Sequence, residues 1–295
     1  MNLDQAERLT HGTGFFAALD QSGGSTPKAL AEYGVPESAY HDEAEMFDLV
    51  HQMRTRVITD PAFSSEHVLA AILFEQTMRR DMQGRQTAEF LWEDKRVVPI
   101  LKVDRGLADE ADGVQLMKDV PDLDQLLADA VDHGIVGTKM RSVIKHADPA
   151  GITAIVDQQF VFGERILRYG LVPILEPEVD IAAADKEKSE ELLKARILDR
   201  LDALAGDEQV LLKISIPTAD DFWSDVMTHP RMMRVVALSG GYERAEAVER
   251  LARNHGLIAS FSRALLEGLL ADQPDEEFSA TLATSIQEIA AASAT

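Results

Sequence analysis

The 295-residue sequence contains no cysteine. It can therefore form no disulfide and no thiolate metal site, and it has no cysteine nucleophile. No run of about 18 apolar residues occurs, so we expect no membrane-spanning segment. Residues 1–10 lack an apolar core behind a basic start and do not have the pattern of a signal peptide. Together these absences favour a reduced, cytoplasmic protein.

Positive charge is scarce. Lysine and arginine number 29 against 51 acidic residues, which gives a net charge of −22, and only ten residues are lysine. This balance argues against nucleic-acid binding, which depends on Lys and Arg neutralising phosphates, and against docking on anionic lipid. A small anionic ligand in a locally basic pocket stays compatible with it, because net charge averages over the whole surface.

Short apolar runs are spread along the whole chain. They are nearly continuous in apolar character, which is typical of parallel strands covered on both faces. Segments between them, such as 40–57, 153–169 and 186–204, show helical periodicity, so strands alternate with helices. The eight runs are 14–19, 68–74, 97–103, 135–140, 171–175, 210–216, 235–238 and 257–261.

Eight such units in about 250 residues predict an α/β protein with a (β/α)8 TIM barrel. We expect residues 1–295 to form a single catalytic domain, with the barrel core at about 14–268 and a C-terminal helix at about 275–292. An open, doubly wound sheet would share the alternation. It usually carries a G-x-G-x-x-G fingerprint after its first strand, and the DQSGGS of residues 20–25 does not match that pattern.

Three of the ten lysines, Lys102, Lys139 and Lys213, lie in or at the end of apolar runs. A lysine in a strand covered on both sides costs several kcal/mol to desolvate unless it is paired or neutral. Any one of them could extend to solvent or close an ion pair. Three together, in a fold whose chemistry sits at the C-terminal ends of the strands, indicate function.

Acidic residues occupy matching places. Asp20 ends the first run, Asp104 follows the third, and Glu176 and Glu178 follow the fifth. For Glu178, as for Glu75 after the second run, a helix-capping charge is an equally good reading. Burial lowers a lysine pKa whereas neighbouring carboxylates raise it. Lysines tuned in this way are Schiff-base nucleophiles.

Two segments have the composition of phosphate-binding loops. Ser239-Gly240-Gly241 follows the seventh run, and Ser260-Phe261-Ser262-Arg263 follows the eighth, each ahead of a predicted helix. Backbone N–H groups at a helix N-terminus suit an oxyanion, and the loops after strands seven and eight are the usual phosphate site of barrels. The loop of residues 20–25 has a similar composition and would offer a second phosphate-binding loop across the barrel.

The eight histidines give no sign of a metal site. None falls at the C-terminal end of a predicted strand, and no H-E-x-x-H spacing occurs. We expect no zinc site, although the sequence leaves a carboxylate-held Mg²⁺ open.

In order along the chain, from Gly14 to Leu265, eight segments resemble those of class I fructose-bisphosphate aldolases, most closely the shorter bacterial branch. The resemblance implies a (β/α)8 lyase of glycolysis and gluconeogenesis that cleaves fructose 1,6-bisphosphate reversibly without a metal or other cofactor, through a covalent Schiff base. The segments are AALDQSGGST, ILFEQTM, VVPILKVDRG, GTKMRS, LVPILEPEV, VLLKISIP, VVALSGG and ASFSRAL.

The resemblance also implies roles for individual residues. Lys213 matches the Schiff-base lysine and Glu176 the general acid/base, with Glu178 as its companion acid. Lys139 resembles the lysine that holds these acids and the substrate hydroxyls, and Asp20 the aspartate that handles the C4 hydroxyl proton. Positions matching the grip on the phosphate nearer the imine are Ser239, Gly240, Gly241, Ser260, Ser262 and Arg263. Positions matching the grip on the second phosphate are Ser22, Ser25, Lys102 and Arg141.

The chain departs from the animal members of the family at three points. Gln21 stands where they have an acid, and Ser262 stands where they have glycine. They also end in a C-terminal tyrosine, whereas the last tyrosine of this sequence is Tyr242. A Schiff-base aldolase for a related sugar phosphate, such as tagatose 1,6-bisphosphate, and a noncatalytic sugar-phosphate-binding barrel are alternative interpretations. Family members are often tetramers or dimers, so a homo-oligomer is compatible with the resemblance.

Overall fold

A computed structural model describes residues 2–295. Its main sheet is built from eight parallel strands joined by helices. The strands are β1 (Phe15–Leu19), β2 (Val68–Leu73), β3 (Val98–Lys102), β4 (Gly137–Ile144), β5 (Val172–Val179), β6 (Val210–Ser215), β7 (Met232–Leu238) and β8 (Ile258–Phe261).

Each strand pairs with the next in the chain, and the sheet closes on itself. β3 pairs in parallel with β4, placing Lys102 opposite Lys139, and β1 pairs with β8, placing Phe16 opposite Ser260. The predicted (β/α)8 barrel is therefore confirmed, and the open-sheet alternative is wrong.

Twelve α-helices accompany the strands in residues 2–295. None of these helices has an apolar stretch of the length that a bilayer requires. The helices are α1 (Leu3–His11), α2 (Ser25–Glu32), α3 (Glu43–Thr59), α4 (Glu75–Met78), α5 (Thr87–Glu93), α6 (Leu123–Asp132), α7 (Pro149–Leu167), α8 (Lys186–Ala203), α9 (Ser224–Met227), α10 (Arg244–Leu251), α11 (Arg263–Leu266) and α12 (Asp275–Ala292).

Smaller elements decorate the loops. A 3₁₀ turn covers Glu37–Ala39, a two-residue hairpin joins Asp81–Met82 to Arg85–Gln86, and the short strand Val114–Gln115 pairs antiparallel with the end of β4. At the N-terminal end of the barrel, Leu9 of α1 packs into the barrel interior and closes it.

Side chains alternate along each strand, so one file points into the barrel and the other toward the helices. The inward file is apolar at the N-terminal end and polar at the C-terminal end. On β5 it runs from Ile174 to Glu176, and on β6 from Leu211 to Lys213. Chemistry-bearing side chains therefore converge at one mouth because they continue the same files that build the apolar interior.

Two strands are longer than the apolar runs predict. β4 ends at Ile144 rather than at residue 140, and β5 ends at Val179 rather than at residue 175. Their last residues include Arg141 and Glu178, whose polarity reflects a position at the open mouth. An apolar run therefore marks the covered part of a strand and stops where its inward file meets the cavity.

Helix starts follow capping residues more closely than apolar periodicity. Asp42 accepts a hydrogen bond from Glu45 N and begins α3 three residues after the predicted start at 40. Asp148 accepts one from Gly151 N and begins α7 at Pro149, four residues before the predicted start at 153.

Candidate active site

A cavity of about 640 Å³ opens at the C-terminal ends of the strands. It brings together fourteen of the fifteen residues that the sequence singles out, drawn from all parts of the chain. They are Asp20, Ser22, Ser25, Lys102, Lys139, Arg141, Glu176, Glu178, Lys213, Ser239, Gly240, Ser260, Ser262 and Arg263.

Four buried charges of alternating sign form the centre of the cavity. Lys139 Nζ lies 2.6 Å from Asp20 Oδ2 and 2.9 Å from Glu176 Oε2. The other carboxylate oxygen of Glu176, Oε1, lies 3.0 Å from Lys213 Nζ. The side chains come from β4, the end of β1, β5 and β6, so barrel closure is what assembles them.

Burial and neighbouring charges act in opposite directions on this cluster. Burial lowers the pKa of Lys139, but Asp20, Glu176 and Asp104 outweigh it and hold that pKa well above its usual value. Burial raises the pKa of Asp20, but Lys139 and, secondarily, Lys213 lower it to about 2. Lys139 is therefore a fixed cation, and Asp20 is a carboxylate at neutral pH.

Lys213 differs from Lys139 in its surroundings. It is 4% exposed, and its one ion-pair partner among residues 2–295 is Glu176. The other oxygen of Glu176, Oε2, is occupied by Lys139 at 2.9 Å. A lysine amine beside a carboxyl group can attack a carbonyl carbon while that carboxyl group moves the accompanying proton.

The loops after β7 and β8 offer donors on one side of the cavity. Gly240 adopts φ +65°, and a Cβ there would lie 2.5 Å from Ile181 Cγ2, so only glycine fits this close turn. Ser260 is buried, and its hydroxyl has no hydrogen-bond partner. Arg263 is exposed and forms no ion pair with any residue from 2 to 295. A guanidinium and hydroxyls without partners suit a phosphate.

The opposite side of the cavity is already hydrogen-bonded internally. Lys102 Nζ lies 2.6 Å from Asp104 Oδ1, and Arg141 Nε donates to Glu178 Oε2. Glu178 therefore faces an arginine and does not cap a helix. In the neighbouring loop, the Ser25 hydroxyl donates to Ser22 O at 2.8 Å and accepts from Ser22 N at 3.0 Å.

Two details of the loop after β7 bear on phosphate binding. Gly241 lines a neighbouring cavity of about 300 Å³ rather than the large one, and its role in phosphate binding stays a prediction. The N-terminus of α10 is not free for an anion, because Arg244 N donates to Glu267 Oε2 at 3.0 Å. The turn at Ser239–Gly240, rather than that helix, presents the polar groups.

The cavity also contains residues that sequence reasoning did not select. Gln21 lies beside Asp20, and Arg54 of α3 is fully buried beneath it, donating to Gln21 O at 2.6 Å. The sequence held one signal for Arg54, since it falls on the apolar face of its helix, where arginine is out of place. Other lining residues that the sequence did not indicate include Lys28, Glu32, Gly106 and Leu107, whereas Asp104 lines the cavity at the strand end where the sequence placed it.

No group of three His, Asp or Glu side chains within residues 2–295 has an arrangement that could hold a metal ion. The carboxylates of the cavity are interleaved with amines, and each carboxylate of the central cluster lies within 3.0 Å of a lysine nitrogen.

Comparison with known proteins gives a consistent result. The family model for fructose-bisphosphate aldolase class-I matches residues 3–216. A fructose-bisphosphate aldolase class 1 of Porphyromonas gingivalis is 57% identical over 293 residues, covering 99% of both chains. One of Clostridium acetobutylicum is 56% identical over 295 residues, covering 100% of both.

A solved structure of fructose-bisphosphate aldolase from Plasmodium falciparum superimposes with a TM-score of 0.76 at 19% identity. The superposition covers 98% of this chain and 92% of that one, so it shows that the two share the fold.

Proposed function

The chain belongs to the class I fructose-bisphosphate aldolase family, and we propose that it cleaves fructose 1,6-bisphosphate reversibly to dihydroxyacetone phosphate and glyceraldehyde 3-phosphate through a Schiff base on Lys213. The observation that carries this assignment is the buried Lys213 amine, 3.0 Å from Glu176 at the base of a cavity flanked by phosphate-binding groups.

The reaction begins when Lys213 passes a proton to Glu176 and the resulting neutral amine attacks the C2 ketone. A proton then moves from the attacking nitrogen to the former carbonyl oxygen, which gives a carbinolamine. Glu176 donates a proton to the departing hydroxyl, water leaves, and a protonated imine forms. The oxygen placed to carry this proton is Oε1, which lies 3.0 Å from Lys213 Nζ. Lys139, held cationic between Asp20 and Glu176, keeps both carboxylates in place and stabilises charge that develops on substrate oxygens.

Cleavage follows at the C3–C4 bond. Asp20, ionised at neutral pH, accepts the proton of the C4 hydroxyl while the bonding pair moves into the protonated imine, which becomes an enamine. The aldehyde fragment leaves. Protonation of the enamine at C3 and addition of water to the imine then release dihydroxyacetone phosphate and regenerate Lys213.

Binding of the two phosphates at separate sites would hold the C3–C4 bond in position for cleavage. Ser239, Gly240, Ser260, Ser262 and Arg263 suit the phosphate nearer the imine, because their donors stand together and Arg263 has no competing carboxylate. Gly241 could take part only indirectly, through the turn it shares with Gly240. The second phosphate suits the side lined by Lys102, Arg141, Ser22 and Ser25.

Because the protonated imine is itself the electron sink, we propose that the reaction uses no metal and no cofactor beyond the covalent Schiff base. We further propose that residues 1–295 act as one catalytic domain in the cytoplasm. Its ligands would be sugar phosphates and not nucleic acid, and a homo-oligomer is the assembly that the family suggests.

A borohydride trap tests the assignment. Reduction in the presence of dihydroxyacetone phosphate should attach the sugar to the protein, and peptide mapping should place it on Lys213. The Lys213→Met variant should show no label and no turnover. Undiminished labelling of that variant would overturn the role of Lys213, and full loss of wild-type activity in EDTA would overturn the metal-free reaction.

A further inference from the structure

Three side chains form a hydrogen-bonded chain from the protein interior to the cavity. Arg54 Nη2 donates to the side chain of Gln21 at 3.3 Å and to its backbone oxygen at 2.6 Å. Gln21 Nε2 donates to Ser262 Oγ at 2.7 Å. The chain connects residues adjacent to Asp20 and Arg263, so it joins the loop after β1 to the loop after β8.

The direction of this chain is fixed by chemistry. A guanidinium can only donate, so the oxygen Oε1 of the Gln21 amide must face Arg54. The amide nitrogen Nε2 must then face Ser262, and the serine oxygen must accept. The hydrogen of the Ser262 hydroxyl is consequently left over. Because Ser262 lines the cavity, that hydrogen is available to a ligand oxygen.

We propose that Arg54 and Gln21 are positioning residues that orient the Ser262 hydroxyl as a donor to the substrate phosphate. The inference rests on the proposed function and explains how the contact between Ser262 and the substrate phosphate is oriented. Gln21 touches no reacting atom in this scheme; it acts through Ser262. Arg54 acts one step further away, by fixing the amide of Gln21.

The burial of Arg54 supports a role beyond stability. It is 1% exposed, it forms no ion pair with a carboxylate of residues 2–295, and its Nε has no acceptor. Burial lowers its pKa to about 10, a shift that the more distant Asp20 only partly opposes. An arginine buried without an ion-pair partner costs stability. Its donors reach the segments that follow two neighbouring strands, β1 and β2, since Nη1 also donates to Thr77 Oγ1 of α4 at 2.7 Å.

Gln21→Glu is the most direct test, because it reverses the hydrogen bond between residue 21 and Ser262 without changing the size of the side chain. A carboxylate still accepts from Arg54, so the fold should be kept and the melting temperature should not fall. The Ser262 hydrogen would turn to the new carboxylate and present only lone pairs to the phosphate. We expect about a tenfold higher KM for fructose 1,6-bisphosphate with kcat within about threefold, a change of the size of one hydrogen bond. Inorganic phosphate should weaken similarly as a competitive inhibitor.

The same substitution in a Ser262→Ala variant separates the loss of the Ser262 hydrogen bond from simple charge repulsion. Ser262→Ala alone should raise KM about tenfold, and adding Gln21→Glu to it should raise KM by less than about twofold. Repulsion alone would give the same tenfold increment in both backgrounds, which would overturn the proposal, as would an unchanged KM in Gln21→Glu. Gln209→Glu, a change of equal charge at a half-buried glutamine outside the cavity that donates to Pro230 O, is the matched control and should leave both constants unchanged.

Borohydride labelling with dihydroxyacetone phosphate distinguishes failure of this inference from failure of the proposed function. If Lys213 is labelled in wild type and in Gln21→Glu while KM stays constant, the orienting chain is refuted and the proposed function stands. If wild type itself is not labelled, the proposed function has failed first.

Discussion

Lys139 is the residue on which the balance of charge in the cavity depends. It separates two buried carboxylates, and we expect Lys139→Met to destabilise the protein by about 3–5 kcal/mol at pH 7, because both carboxylates lose their shared cation. Urea unfolding of wild type and variant at matched pH measures the difference. Activity should be lost as well.

The stability of wild type and that of Lys139→Met should depend on pH with opposite signs. In wild type the pKa of Asp20 is about 2, below the value of about 3.9 in an unfolded chain. Its stabilising contribution is therefore complete above about pH 4 and is lost as pH falls toward 2. In Lys139→Met, burial beside Glu176 would raise a carboxyl pKa instead, so the variant should gain stability relative to wild type from pH 7 to 5. An additional Asp20→Asn change should recover part of the loss at pH 7, and no recovery would contradict this account.

At the scale of elements, a buried ion pair holds the loop that follows β6, the strand that carries Lys213. Lys186 Nζ, in the first turn of α8, pairs with Glu190 and donates to Ile216 O at 2.9 Å, while Glu190 Oε2 accepts from Thr218 N at 3.1 Å. We expect Lys186→Met to lower the free energy of unfolding by about 3–5 kcal/mol, because Glu190 is left buried without its cation. The double variant Lys186→Met/Glu190→Met should lose less, and a loss equal to the sum of the two single changes would contradict the pairing. Denaturant titration of all four proteins measures both.

Elements were also the level at which the sequence was most informative. Apolar runs located all eight barrel strands, because each strand is covered on both faces, but they ended early at β4 and β5, where the inward side chains are polar. The order of the strands cannot reveal a side chain that arrives from a helix, so the sequence did not indicate that Arg54 of α3 contacts Gln21. The composition of a loop likewise does not say which of its residues faces the cavity, so the role of Gly241 stays a prediction.

For the molecule as a whole, charge is distributed unevenly between exterior and cavity. The net charge is −22, yet four of the ten lysines, Lys28, Lys102, Lys139 and Lys213, line the cavity together with Arg141 and Arg263. We expect KM for fructose 1,6-bisphosphate to fall modestly as salt rises from very low values, since the exterior repels the substrate over a range that salt shortens to about 8 Å at physiological strength. At higher salt KM should rise again as the pocket is screened. Steady-state kinetics over a salt series checks this, and a monotonic rise from the lowest salt would contradict it.

The pairing of β1 with β8 has a consequence for the synthesis of the protein. Phe16 meets Ser260, so the sheet cannot close until β8 has been synthesised. The last residues take part as well, since the Ser293 hydroxyl accepts from Ala259 N at 3.0 Å and Thr295 O from Gly256 N at 3.0 Å. Until then the nascent sheet has two open edges, which invite association with other chains. Because Asp20 follows β1 and Arg263 follows β8, we expect a chain truncated before β8 to be inactive.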